Sequence, residues 1–231
     1  MITIYHIEGR RSERVAWLLE ELGVPYALEF IQGDILGSLL ELEKYHEMRM
    51  TPIVKDGDTL IIESGAILEY LLAKYGKQSG LRPAEDSPAF APYLEFLHFA
   101  EGTAMARVLT DRMLLAYKDS GIPSPMPKLP GLAGSRTGTQ RVMHFAENTL
   151  ATRRYFAGDQ FTAADIMMHF PLKLGAPLAT DTTASMADIQ RTDMPYLDAF
   201  PNVKRFLGAM AERPAFQRAM KRTMPKGPPA M

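Results

Sequence analysis

Apolar positions change their period once along the chain. Up to about residue 76 they form short β-branched and aromatic runs that alternate with stretches at helical spacing; beyond about residue 87 only the helical spacing remains. "ITIYHI" reads as a strand. In "SERVAWLLEELG", Val15, Leu18, Leu19 and Leu22 share one helix face and Gly23 marks its end. "YALEFI" reads as a second strand and residues 34–48 as a helix with open ends. Ile53–Lys55 and Thr59–Ile62 flank "DGD", a hairpin signal because Asp-Gly readily takes the positive φ of a tight turn. A further helix follows Ser64. The predicted order is βαβαββα, a small α/β unit.

The second half carries amphipathic segments at 88–117, 136–155, 162–172 and 200–222, all read as helices. "SGIPSPMPKLPGLAG" separates the first two, and a loop over 118–135 is long enough to cover a pocket. "LATDTTASMADIQRTDMP" is a second polar excursion. Thr162-Ala-Ala-Asp165 has capping-box spacing, with Asp in the usual Glu or Gln position. The polar, Gly/Pro-rich stretch 77–87 reads as a linker. The expected organisation is an α/β domain at 1–76, an all-helical domain at 88–224 and a flexible tail at 225–231.

Composition narrows the function classes. The 231 residues are 46% apolar, enough for a substantial core, and the formal charge is −1, which gives no broad electrostatic footprint for nucleic acid. The absence of cysteine removes disulfides, thiolate metal sites, Cys-x-x-Cys redox chemistry and cysteine nucleophiles together. The five histidines are scattered without ligand spacing. The start lacks a secretory pattern, and no apolar run approaches the ~18 residues of a spanning helix. The expectation is a soluble cytoplasmic protein with neither membrane nor nucleic-acid partners.

Four segments, in order, resemble the glutathione transferase superfamily, in particular its bacterial and yeast-type (theta-like) members: "RVAWLLEELGVPY", "TPIVKDGDTLIIESGAILEYL", "HFAEGTAM" and "FTAADIMMHFPL". The resemblance implies a thioredoxin-like domain followed by an all-helical domain, usually in a two-fold dimer. It implies a cis bond before Pro52, with the N–H and C=O of Ile53 pairing the cysteinyl part of glutathione as an added strand. Ser64 is expected to cap its helix and to bind the γ-glutamyl carboxylate there, with Glu63 near the ammonium group. The implied glutathione-binding set is Arg49, Thr51, Pro52, Ile53, Glu63 and Ser64. Met50 stands where relatives often carry a lysine for the glycyl carboxylate. Arg49 is its candidate replacement, and loss of such a contact costs about 1.5–3 kcal/mol.

The thiolate-stabilising group is expected in "YHIEGRRSERV", where Arg10-Arg11-Ser12 replaces the common Ser-Arg-Ser. Ser12 is one candidate, although it also sits where a helix needs its cap. Tyr5 is a second, because other classes use a strand tyrosine. Arg10 is a third: its guanidinium favours a neighbouring thiolate, binds an acidic group of the second substrate, or is merely solvated. Arg11 and Arg14 read as surface or structural residues. Met105, Arg107, Met113 and Tyr117 are the expected electrophile pocket, with Leu109, Met167 and Phe170 as further candidates; the same stripe equally suits a core. Glu101 is placed by position near the ligand of a second subunit. The resemblance therefore implies a glutathione-dependent transferase acting on a small hydrophobic electrophile. Glutathione-dependent peroxidase, reductive cleavage or isomerisation, and a non-catalytic binding protein on the same fold, are the alternatives.

Overall fold

The computed structural model describes residues 1–121, 137–179 and 195–226. Its first part runs β1 (Ile2–Tyr5), α1 (Glu13–Leu22), β2 (Tyr26–Glu29), α2 (Ile35–Glu41) with one 3-10 turn (Leu42–Lys44), β3 (Ile53–Asp56), β4 (Thr59–Ile62) and α3 (Ser64–Tyr75). The sheet order is β2-β1-β3-β4, with β1 parallel to β2 and antiparallel to β3, and β3 antiparallel to β4. Gly23 ends α1 in the left-handed conformation, at φ 65°, and Gly57 turns the β3–β4 hairpin at φ 61°.

The second part is helical: α4 (Phe90–Phe99), a π-helical stretch (Ala100–Met105), α5 (Ala106–Ser120), α6 (Gly138–Thr152), α7 (Ala163–Ala179), a 3-10 turn (Pro195–Ala199), α8 (Pro201–Ala211) and α9 (Pro214–Thr223). Several sequence expectations change. The segment 34–48 yields a single short α-helix and a 3-10 turn, and the strands in "ITIYHI" and "YALEFI" stop after four residues each. The segment 200–222 divides because Arg213 leaves the helical region (ψ 126°) and Pro214 restarts it at a position where its missing N–H costs nothing. The segment 162–172 continues to Ala179 through two internal prolines. Most of the loop 118–135, the excursion within 178–195 and the final five residues lie outside the described residues.

Helix α1 joins the two parts. Its residues from Glu13 to Leu19 are all buried, and Trp17 contacts the rings of Phe161, His169 and Phe216 from the helical part. The main core cluster accordingly runs from Ile4 and Val54 through Leu18 and Leu68 to Phe156 and Met210. At the start of α7, the buried Asp165 accepts the N–H groups of Phe156 and Thr162 and also the Thr162 hydroxyl. This is half of the expected capping box: the Thr162 side chain donates to the carboxylate instead of accepting from the helix. A complete box occurs elsewhere, between Thr137 and Gln140 at α6.

Candidate active site

The strand register gathers three loops at one end of the sheet. Ile53 lies opposite Tyr5 on one side and Ile62 on the other. The segment leaving β1 (His6–Ser12), the one entering β3 (Arg49–Pro52) and the one leaving β4 (Glu63–Ser64) therefore share that edge. The Thr51–Pro52 bond is cis. Ile53, expected to offer its backbone to a ligand, sits in the middle of the sheet with a neighbour on each side, so no further strand fits beside it. One residue before the cis bond the situation differs. The Thr51 hydroxyl donates to the Tyr5 carbonyl at 3.1 Å, and its N–H and C=O make no hydrogen bond among the described residues. The backbone that remains open for pairing belongs to Thr51.

Two residues along from Ile62 begins α3. Ser64 is its first residue and not its cap; Glu63 occupies the cap position at φ 73°, exposed and without a capping side-chain bond. Ile67 N–H is the first to find a helical acceptor, at the Glu63 carbonyl, so the N–H groups ahead of it remain open. The Ser64 side chain is 2% exposed and makes no hydrogen bond among the described residues. A hydroxyl, free N–H groups and the positive end of the helix dipole thus point the same way. Arg49, at φ 45°, is exposed and reaches Glu43 at 3.5 Å, while Met50 beside it is also exposed.

At the N-terminus of α1 the expected donors are already engaged. Ser12 is fully buried, and its hydroxyl lies 2.7 Å from His6 Nδ1 and 3.4 Å from the Ile7 N–H. His6 Nε2 is 2.8 Å from the Thr223 carbonyl, which can only accept, so the proton sits on Nε2 and Nδ1 accepts from Ser12. Ser12 therefore spends its proton on His6, and neither a ligand nor the helix terminus receives it. Burial holds His6 below the usual imidazole value, which keeps this tautomer neutral. Tyr5 stacks on Tyr45 with ring centroids 3.7 Å apart and packs in a small cluster with Ile7, Leu42 and Ile53. Burial and the Glu29 charge raise its phenol, the opposite of activation. Arg10 remains half-exposed, bonded only to the Gly9 carbonyl at 3.2 Å. The N–H groups of Arg11 and Ser12 are unpaired among the described residues.

Behind this corner, Glu101 in the π-helical stretch pairs with Arg11 at 2.9 Å and with the buried Arg14, whose other amine donates to the Met167 carbonyl at 2.8 Å. Glu101 is thus held by two arginines of its own chain. Of the expected pocket residues, Met105 is core at 2% exposure, whereas Met113 is 47% exposed. Arg107 is exposed and runs past Gly138, where a Cβ would meet its side chain at 2.8 Å; Tyr117 is half-buried. Helix α5 also carries a residue the sequence reading passed over. Arg112 is half-buried, its Nη1 lies buried without a hydrogen bond among the described residues, and burial, then the Arg10 charge, hold its guanidinium below the usual value. Its spacing from Val108 was the available signal.

A groove of about 460 Å³ lies at the other end of α1, between Glu21, Tyr75, Ser79, Leu81, Phe161 and Arg213. It is remote from these groups, and its Arg213 is bound to Glu21 at 2.7 Å. Among the described residues, no His, Asp or Glu cluster has metal-binding geometry and no helix is long and apolar enough to cross a membrane.

Family models of the glutathione S-transferase N-terminal and C-terminal domains match residues 4–79 and 130–214. The chain is 31% identical to glutathione S-transferase 3 of Schizosaccharomyces pombe over 224 residues, 93% of this chain and 85% of that protein. It is 26% identical to glutathione S-transferase 1 of Saccharomyces cerevisiae over 189 residues, 75% and 80% of the two chains. Among solved structures, a glutathione S-transferase from Actinobacillus pleuropneumoniae superposes with a TM-score of 0.72 at 25% identity, covering 96% of this chain and 93% of the other.

Proposed function

Because the chain belongs to the glutathione S-transferase family, we propose that it binds glutathione across the shared sheet edge and stabilises its thiolate at the N-terminus of α1. It is a glutathione transferase with glutathione as co-substrate. The observation that carries the reading is the open backbone of Thr51 at the same sheet edge as the start of α3. Continuing the Ile53–Ile62 register by two residues sets Thr51 opposite Ser64. The open Thr51 backbone takes the cysteinyl unit as a short added strand. The open N-terminus of α3, with the Ser64 hydroxyl, takes the γ-glutamyl carboxylate. The exposed Glu63 carboxylate attracts the ammonium group.

The cysteinyl sulfur then lies toward α1. A free thiol titrates near ~8.5, and lowering it by about two units requires roughly 2.7 kcal/mol of preference for the thiolate. With Ser12 and Tyr5 engaged elsewhere, Arg10 and the free N–H groups of Arg11 and Ser12 supply that preference. Coulomb's law sets a ceiling of about 4 kcal/mol for a guanidinium about 4 Å away at an effective dielectric near 20; solvent around the half-exposed Arg10 lowers it, and the helix terminus adds roughly 0.3–1 kcal/mol. The thiol proton passes to water. The sulfur attacks the electrophilic carbon, and the leaving group departs with the bonding electrons.

The same proposal includes a small apolar electrophile, a glutathione-binding unit at residues 1–76, a helical unit at 88–224, a homodimer and a cytoplasmic location. A non-catalytic binding protein is the second reading, favoured by Met50 and by the engaged Ser12 hydroxyl; turnover of a panel of aryl halides removes it. The direct test is Ser64→Ala with calorimetric titration of glutathione. Loss of one hydrogen bond to a charged group predicts about tenfold weaker binding, with the thermal midpoint unchanged. Unaltered affinity contradicts the assignment.

A further inference from the structure

The groove at the far end of α1 is lined by groups whose hydrogen-bonding edges are engaged and whose faces remain. Arg213, between α8 and α9, donates from Nε and Nη2 to the two Glu21 oxygens at 2.7 and 2.9 Å, and Glu21 also accepts the Trp17 Nε1–H at 2.9 Å. The guanidinium carbon lies 3.6 Å from the Phe161 ring centroid, so that ring covers one of its faces. Tyr75, at the end of α3, donates its hydroxyl to Asp56 at 2.8 Å and lines the groove with a ring that is 38% exposed.

Free hydrogen-bonding capacity in the lining comes from two exposed amides. Gln78 follows α3 and Gln160 precedes α7, and neither side chain has a hydrogen bond among the described residues. The turn that carries Gln78 is fixed: Ser79 donates its hydroxyl to the Gly76 carbonyl at 2.7 Å and accepts the Leu81 N–H at 3.2 Å. The Ala163 N–H, donated to the Leu81 carbonyl at 2.9 Å, ties that turn to the start of α7. Glu21 and Arg213 are the charged residues among those that line the groove, and they neutralise each other. Its volume of about 460 Å³ falls within the range of small-molecule sites.

Aromatic rings and guanidinium planes stack on nucleobases. A glutamine amide matches the N6 donor and N7 acceptor of adenine, one group accepting and the other donating. A phosphate meets no unpaired cation in this lining, because the Arg213 edge already holds Glu21. The geometry points to a second ligand site at this groove, one that takes an uncharged adenine-type nucleoside. The site is separate from the sheet edge at Thr51 and Ser64, and it stands independently of the transferase reading.

The test titrates adenosine, inosine and adenosine monophosphate calorimetrically into the full-length protein. Adenosine should bind with a dissociation constant on the order of 0.1 mM, the range that ligand efficiency sets for a molecule of its size. Inosine presents an acceptor in place of the N6 donor and should bind about tenfold more weakly. The monophosphate should bind no more tightly than adenosine. Gln78→Leu or Gln160→Leu should bring adenosine down to the inosine level without lowering the melting midpoint, since both side chains are exposed. Arg213→Lys keeps a cation opposite Glu21 but removes the flat face, and should weaken both nucleosides about tenfold. No saturable binding at millimolar adenosine overturns the inference, as does equal affinity for adenosine and inosine. A monophosphate that binds about tenfold more tightly than adenosine overturns the uncharged ligand. If adenosine affinity survives both glutamine variants and Arg213→Lys unaltered, the ligand sits elsewhere and the inference falls.

Discussion

Ser12→Ala separates structural from catalytic roles at the α1 corner. The Ser12 hydroxyl is fully buried and bridges His6 Nδ1 at 2.7 Å and the Ile7 N–H at 3.4 Å. Removing it leaves a buried imidazole nitrogen without its donor, at a cost of about 1–3 kcal/mol; the longer Ile7 contact adds little. For a chain of this size, each kcal/mol shifts the midpoint by roughly 2–4 °C, so the variant should melt about 2–12 °C lower. Catalysis responds differently in the two cases. A hydroxyl that held the thiolate would contribute on the order of a hundredfold, as donors to a developing negative charge do. On the present account kcat/KM stays within about threefold, because the Ser12 proton already belongs to His6. The assay is glutathione conjugation to 1-chloro-2,4-dinitrobenzene well below the melting transition, with the midpoint followed by calorimetry. A variant with an unchanged midpoint and a hundredfold loss of kcat/KM refutes the reasoning.

Other consequences follow from the same geometry. Arg10→Met should raise the thiol pKa of bound glutathione by about one to two units, read from the pH dependence of thiolate absorbance, and an unchanged titration removes Arg10 from the site. Glu101→Gln strips the buried Arg14 of its carboxylate and should cost about 3–5 kcal/mol in urea unfolding; a loss below about 1 kcal/mol shows that the Met167 carbonyl alone holds Arg14. His169 is buried beside Trp17 and Phe216, and burial lowers its pKa to about 3. Its contribution is therefore present above the unfolded value near 6.5 and is lost as pH falls toward the folded one. Between pH 7 and 5 that amounts to about 2 kcal/mol, and His169→Phe should flatten the acid limb of stability by that amount.

The sequence announced the elements wherever one signal was local. Gly23, the Asp-Gly hairpin and the apolar face of α1 needed no tertiary information. The break inside 200–222 was equally local, since Pro214 was present to mark it. At the site, a Pro after Thr51 identified the right loop but not the right backbone: only the register shows that Ile53 is enclosed by β1 and β4 while Thr51 is open. Ser64 looked like a cap because serine caps helices, yet the positive φ at Glu63 moves it to the first helical residue. The partner of Ser12 was hidden for a different reason. The fate of the Ser12 hydroxyl is settled by His6 and, through His6, by the carbonyl of Thr223, a residue 217 positions away from His6. No periodicity encodes that contact. Glu101 likewise acquires meaning only when the π-helical stretch meets α1.

The most direct test of the account is the pKa of the glutathione thiol in its complex, followed by ultraviolet absorbance of the thiolate across pH. The account predicts saturable binding and a titration about two units below the free thiol. Binding with an unshifted titration near ~8.5, or no spectral change in a folded sample at millimolar glutathione, would contradict thiolate stabilisation at the α1 corner.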